Sequence, residues 1–573
     1  MTSGSGKRHG GAVLAVLSAA MFVYVIDTTL MNVSISALVE ELDTDVGSVQ
    51  AAITLYTLTM AAFMLTGGKL GDILGSKRAF RIGLVIYGTG TTITALAPSL
   101  LWVVIGWSVL EGLGSALIVP AINTLVRANY EGDKRATAYG TLFGVAAAGA
   151  AFGPLVGGWV TTAYSWRLAF GAEALIVLGV LAASGLLVDA PPVVPKPRLD
   201  VRGVFLSAAG LGLVVFGVLQ TADWGWGDPR VLTMLSVGTA ALVVFAIGSV
   251  RRERKGEPVL VHPSIFRHRS ISAGLPVLAT QTFAQAGLLF LIPVFTQTVL
   301  GFDAFETGLT LLPLSVGVLL TSVTTPRLGR VIAPRTIIQA GLTLLFIGGI
   351  VLARELPDAT TRSDLFVGLL IGGIAIGLIA GQLPNMILSG VEPAEASEAS
   401  GLQGTSQNLG MALGTAVIGT VILSVGLGSI GDEVAQSEVL PAEITADIKE
   451  VIASQLSTPS TERLADQLAD ADQAVRDEAE RIFADGTDRG FQAAVLVGGI
   501  GALLGALVAF RLPGGRLPRP TDHADEDGAT GVSTAGDLVA TTVRNTTIPG
   551  VQLEMLELSP PGTGAGETGA EHP

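Results

Sequence analysis

The chain has 573 residues, of which 49% are apolar and 14% charged, with 73 glycines and a mean hydropathy of +0.60. A soluble domain carries about 25% charge, so this composition excludes an ordinary soluble protein and indicates a polytopic membrane protein. There are no cysteines, and the five histidines (His9, His262, His268, His523, His572) all fall outside apolar runs. That excludes disulfides and thiol chemistry, and it argues against a metal, a haem or a histidine relay in the membrane; the net charge of −14 belongs to loops and tail and points to no nucleic acid.

In chain order, residues 1–10 are a short polar, basic tail. The first apolar run, 11–38, is too long for a secretory signal and has no small-residue cleavage site after it. Fourteen stretches reach the roughly 20 residues that a bilayer requires. They lie at 11–38, 49–68, 79–97, 100–126, 136–163, 168–188, 201–221, 231–250, 271–300, 307–326, 336–353, 365–388, 400–428 and 491–510. Loops after even-numbered spans carry nineteen Lys and Arg, whereas the short loops after odd-numbered spans carry only Arg167, Arg230, Arg354 and Arg362. This bias predicts that both termini are cytoplasmic. The polar, acidic insertion 431–490 is then outside; it reads as a solvated helical hairpin, with a gate or partner-docking element as the alternative. Residues 512–573 are rich in Pro, Gly, Thr and acids, and are expected to be disordered.

The fifth span carries FGVAAAGAAFGPLVGGWV over 143–160. Its glycines, Gly144, Gly149, Gly153, Gly157 and Gly158, are expected to fall largely along one side, where absent Cβ atoms admit a close neighbour. Pro154 adds a bend. Either these residues form a hinge, or they serve close static packing.

Within that helix, GAAFGPLVGG (149–158) resembles the antiporter motif of the major facilitator superfamily. GKLGDILGSKR (68–78) resembles its signature loop. IDTTLMNVSISAL (26–38) and SGLQGTSQNLGMALGTA (400–416) resemble the first and penultimate spans of its fourteen-span drug:proton antiporters. The resemblance covers roughly residues 11–511. It implies an all-α fold of two six-helix bundles, 11–189 and 271–428 with 491–511, plus two extra spans at 201–250. It implies alternating access, no cofactor, and a monomer in the cell membrane that handles a small molecule and protons.

Asp27 lies near the middle of span 1, where a carboxylate is expensive unless protonated, paired or hydrated. It is read as a proton- or substrate-linked group, or as a packing carboxyl bonded to Asn32 or a hydroxyl. Glu111 lies at the centre of span 4, in SVLEGLGSALIVP. The family pattern has an arginine where this chain has Ser108, and a glutamine where it has Glu111, so Glu111 is a candidate proton carrier or counter-charge for a cation. Its structural alternative is interhelical hydrogen bonding. Glu173 lies about one turn into span 6, six residues after Arg167, and is read as either interfacial or functional. By resemblance, Asp72 with Lys69, Lys77 and Arg78 forms a conformational lock, aided by close packing at Gly68, Gly71 and Gly75; Ile73 and Ser76 replace basic residues of the pattern. In the second half the candidate cavity polars are Gln281, Gln285, Gln382, Asn385, Gln407 and Asn408. Trp107, Phe283, Phe290 and Phe295 are candidate apolar lining.

These residues fit proton-driven export of amphipathic, cationic compounds. The alternatives are an exporter of one metabolite, lipid or peptide, and a scaffold that depends on residues 431–490. No HExxH, GxSxG or P-loop is present, which argues against an enzyme and against ATP as the energy source.

Overall fold

In a bilayer an apolar run satisfies its own backbone only as a helix or within a closed barrel. The computed structural model of this chain uses helices throughout. The structure describes residues 6–130, 132–189, 198–329, 331–389, 391, 395–441, 444–446, 448 and 471–514, and no strand forms among them. The expected disordered tail lies outside the described residues except for 512–514.

Eleven helices among the described residues are long and apolar enough to cross a membrane, or thirteen if two bent pairs each count as one span. The expected fourteen is therefore not reached. The stretch that falls short is span 3, the helix α4 (Ser76–Ala95), whose 20 residues SKRAFRIGLVIYGTGTTITA include four threonines and three cations. Before it come α1 (Gly6–Val33), the short α2 (Ile35–Glu41) and α3 (Val46–Leu74). Span 4 is α5 (Leu100–Val103), a π-helical segment Val104–Glu111 and α6 (Gly112–Asn129) in unbroken succession. Then follow α7 (Gly132–Ala163), α8 (Trp166–Ala183), α9 (Val201–Leu219), α10 (Thr221–Trp224) and α11 (Pro229–Arg254). The second half comprises α12 (Arg269–Thr298), α13 (Ala304–Thr310), α14 (Leu312–Leu328), α15 (Pro334–Glu355), α16 (Phe366–Ala380), α17 (Leu383–Ser389), α18 (Ala396–Gln436) and α19 (Gln473–Val508).

Acidic and hydroxyl caps set where several helices begin. Asp45 accepts from the Ser48 amide at 2.8 Å, Asp200 from Gly203, and Asp303 with Glu306 forms a capping box at α13. Each satisfies amides that would otherwise be orphaned.

Helices α1 to α8 pack mainly on one another, α1 on α7, α3 on α6, and α4 on both α6 and α8. Helices α12 to α19 do the same, and α9 pairs with α11. Between the halves, α3 lies along α18, and α9 covers their seam through Leu58, Val215 and Ala412.

At the end where α1 finishes, polar and glycine contacts join the halves. Gln297 Oε1 accepts from the Ser36 amide at 2.9 Å, and its Nε2 donates to Val33 O at 3.1 Å. The Phe305 amide donates to Thr162. A Cβ on Gly158 would strike the Ala304 backbone, and one on Gly308 would lie 2.5 Å from Pro154 O.

Helix α7 bends by 45° between Gly144–Ala150 and Phe152–Ala163, next to Pro154 as expected. Its glycines do not share one side. Gly149, Gly153 and Gly157 press on Val25, Thr29 and Leu30 of α1, Gly158 faces α13, and Gly144 has open space. A spacing of four keeps the first three on one helical face, whereas Gly158 is about 100° further round.

Helix α18 has 41 residues and α19 has 36. At 1.5 Å per residue they are roughly 60 and 54 Å long, well beyond the ~30 Å hydrocarbon core. The insertion 431–490 thus begins and ends as continuations of two spans, and residues 449–470 lie outside the described set. The continuation has its own core of Ile430, Val434, Ile448, Val475, Ala479 and Ile482.

Candidate functional site: a buried carboxylate cluster

The structure brings together the three acids that the sequence places in different spans. One oxygen from each of Asp27, Glu111 and Glu173 lies within 4.8 Å of the others. Asp27 and Glu111 are fully buried and Glu173 is 5% exposed, so solvent cannot screen them. Among the described residues no Lys, Arg or His pairs with any of the three.

Each acid is held by a neighbouring helix. The Trp107 indole donates to Asp27 Oδ1 at 2.7 Å while stacking on Tyr56 of α3, with ring centroids 4.6 Å apart and planes 6° apart. Thr94 donates to Glu111 Oε1 at 3.2 Å. Tyr87 donates to Glu173 Oε1 at 2.5 Å, and Thr91 to Glu173 Oε2 at 3.4 Å. The second oxygens, Asp27 Oδ2 and Glu111 Oε2, are buried without a hydrogen-bond partner, as is the Tyr56 hydroxyl.

The π-helical segment explains how span 4 presents two site residues. It contains Trp107 and ends at Glu111, and π segments shift the register of the side chains that follow them. Ser108 anchors the segment by donating to Ala52 O of α3 at 2.8 Å. Glycine permits the close crossing with α4: a Cβ on Gly90 would lie 2.5 Å from Gly106 O and 2.7 Å from Glu111 Cγ.

Two carboxylates 4.8 Å apart repel by about 3.5 kcal/mol at an effective dielectric near 20. Full ionisation of three is therefore prohibitive without bound protons or a cation. The 4.8 Å spacing also lets one small oxygen-ligated cation touch all three.

Other expectations fare differently. Asn32 donates to Thr28 O at 2.7 Å and is not the partner of Asp27. Arg167 pairs with Glu41, which leaves Glu173 to the cluster and away from an interfacial ion pair. In the signature loop Gly75 has φ +95°, a conformation that favours glycine. The Lys77 amide donates to Asp189 Oδ1 at 2.9 Å, and its ammonium donates to Gly185 O and Leu187 O. The loop is thereby tied to the chain just after α8. Lys69 is the charge facing Asp72, and Arg78 is exposed. Gly68 touches Pro120 of α6, but Gly71 has open space, contrary to expectation; the close approach is made by Gly67 on the Ala116 backbone.

Of the second-half polars, Gln281 donates to Gln285 at 2.6 Å. Asn408 donates to Gly404 O and faces Tyr24 of α1. Gln382 is buried and donates to Thr325 O at 2.7 Å, whereas Asn385 is exposed and Gln407 half-buried. Sequence reasoning missed Tyr56, Tyr87, Thr91 and Thr94, and took Trp107 only as apolar lining. The available signal was a phenol or indole donor inside an apolar span, since such groups seek a partner when buried.

The model of the Major Facilitator Superfamily matches residues 17–415. The chain belongs to that superfamily. It is 28% identical over 543 residues to a probable actinorhodin transporter of Streptomyces coelicolor, an alignment covering 89% of this chain and 92% of that protein. It is 30% identical over 420 residues to the cephamycin export protein CmcT of Amycolatopsis lactamdurans, covering 73% and 86%. Among solved structures, a bacterial homolog of the human lysosomal transporter Spinster, inward-facing and unoccupied, superposes with a TM-score of 0.58 at 15% identity, covering 88% of this chain and 98% of that one. This superfamily member is a multi-pass membrane transporter, and its acid cluster lies within the first six spans.

Proposed function

We propose that the protein exports amphipathic, cationic compounds from the cell in exchange for protons. The observation that carries this reading is the cluster of Asp27, Glu111 and Glu173, with oxygens within 4.8 Å of one another and two of them unpartnered. A site that must take up protons to be neutral, and becomes negative on losing them, alternates between rejecting and attracting a cation. Export by the similar proteins supports the direction of transport, and the charge bias of the loops supports cytoplasmic termini in the cell membrane.

In this cycle, protons enter the cluster from outside and cargo leaves. The two halves then rock about the bend in α7, where Gly144, Gly149, Gly153, Pro154, Gly157 and Gly158 act as hinge or sliding surface. Protons leave toward the cytoplasm and the next cation binds. The loop of Gly68, Gly71, Asp72, Gly75, Lys77 and Arg78 favours one access state. Gln281, Gln285 and Asn408 face the cargo from the second half, and the protein works as a monomer.

The test is export of a lipophilic cationic dye from proteoliposomes under an imposed pH gradient, alongside a sodium gradient at equal pH. Gradient-driven export by the wild type, abolished in Asp27→Asn and in Glu111→Gln while both variants still reach the membrane, supports the reading. Full export by both variants sinks it, and export driven by sodium alone replaces protons with a metal cation at the same carboxylates.

A further inference from the structure

We infer that Tyr87 is the group that passes protons among the three acids, an inference that rests on the proton-coupled reading above. The cluster draws Asp27 from α1, Glu111 from the π segment and Glu173 from α8, so no two acids share a helix. Tyr87, on α4, binds the last of these. Its hydroxyl donates to Glu173 at 2.5 Å, and one oxygen of each of Asp27 and Glu111 lies within 4.8 Å of a Glu173 oxygen. Tyr87 is 1% exposed, so in this state it is shielded from bulk solvent.

The anchoring pattern gives the relay a direction. Asp27 and Glu111 each have one oxygen fixed, by Trp107 and by Thr94, and one without a partner. Those two free oxygens are seats for a proton. Glu173 has both oxygens engaged, one of them by Tyr87 itself. A phenol both donates and accepts. The Tyr87 oxygen can therefore take a proton from the carboxylic acid of Asp27 or Glu111 as its own proton passes to the Glu173 carboxylate. One O–H bond breaks on the donor acid and one forms on Glu173. The phenol is regenerated, and the net change is one proton moved between carboxyls.

Position makes the hydroxyl separable from the ring. The backbone and Cβ of Tyr87 rest on Gly114, where a Cβ would come within 2.7 Å, so packing at this crossing is set by the residue's base. Removing the oxygen alone leaves that packing in place.

The experiment compares wild type, Tyr87→Phe and Tyr87→His in proteoliposomes by two readouts. One is dye export driven by a pH gradient; the other is exchange of labelled for unlabelled dye at equal pH, which requires no net proton movement. In Tyr87→Phe, driven export is expected to fall about a hundredfold, the lower end of the range for a lost proton-transfer group, with exchange retained. Tyr87→His, which keeps a proton-carrying group, is expected to restore much of the driven export. Driven export undiminished in Tyr87→Phe overturns the relay, and so does a parallel fall in both readouts, because the hydroxyl then serves binding or folding. Should Tyr87→Phe fail to fold, Tyr87→His decides alone: driven export retained supports the relay, and its loss with exchange intact overturns it. A wild type that ignores the pH gradient overturns the coupled reading and the relay with it, whereas a driven wild type with an equally driven Tyr87→Phe overturns the relay alone.

Discussion

The Trp107 indole N–H crosses from span 4 to span 1 and donates to Asp27 Oδ1 at 2.7 Å, while the same ring lies flat on Tyr56. One aromatic side chain thus ties three helices to a buried acid. Trp107→Phe keeps a ring for the stack and removes the donor. A hydrogen bond to an ionised group contributes about 1.5–3 kcal/mol, so this variant is expected to fold, to melt several degrees lower, and to export about tenfold more slowly. Thermal unfolding in detergent and dye export from vesicles check both expectations.

The crossing of α4 with the π segment tolerates no extra atom. A methyl at Gly90 would press on Gly106 O and on Glu111 itself. Overpacking of this kind costs about 1–3 kcal/mol. Gly90→Ala is expected to lower both the melting temperature and proton-coupled export, because it displaces Glu111. Gly179→Ala, on α8 with open space around it, is the matched control and is expected to lower neither.

The glycines of α7 separate packing from hinging. Gly153 and Gly158 are pressed against Thr29 and Ala304, but Gly144 is not in contact. Gly158→Ala is expected to impair folding or export. Gly144→Ala is expected to fold at least as stably as the wild type, since Gly to Ala in a helix stabilises by about 1 kcal/mol where space allows. If Gly144→Ala nevertheless slows export with stability intact, backbone freedom at that point is part of the cycle.

The native absence of cysteine makes single-cysteine probes clean. Ser34 is fully buried and bonded to Thr161 at 2.8 Å, at the end of the molecule that Gln297 joins across the halves. Ser34→Cys is expected to react slowly with a polar maleimide. Adding Gln297→Ala removes both hydrogen bonds of that amide and is expected to speed the reaction several-fold by favouring separation of the halves at this end. Equal rates in the two backgrounds would show that the amide does not hold the halves together.

The projecting ends of α18 and α19 offer a contrast between charge and core. Arg481 bridges Glu433, Glu478 and Asp485 but is half exposed, so Arg481→Ala is expected to leave stability almost unchanged. Ile482 is fully buried in the local core, and Ile482→Ala is expected to cost about 2–5 kcal/mol. Limited proteolysis of the insertion, with export measured in parallel, also tests whether this element serves transport or stands apart from it.

Much of this molecule was legible in its sequence because bilayer physics acts locally. An apolar run of 20 residues must become a helix, its charged neighbours bias its orientation, and a glycine-rich helix must pack closely; none of these requires knowledge of a partner. Asp27, Glu111 and Glu173 could be singled out for the same reason, since an acid in an apolar run is costly wherever its helix sits. Their meeting could not be read, because they are separated by up to 146 positions and depend on how α1, α8 and a π-helical register shift in span 4 converge. The roles of Tyr87 and Trp107 were hidden for a related reason: an aromatic residue in a span reads as lipid-facing or packing until its polar atom is found against a carboxylate. The α7 glycines show the converse limit, where spacing gave the faces of one helix but not which neighbour each would meet. Composition and periodicity therefore determined a helical membrane protein with three expensive acids, and the motifs supplied its resemblance to transporters; tertiary packing decided that those acids form one site.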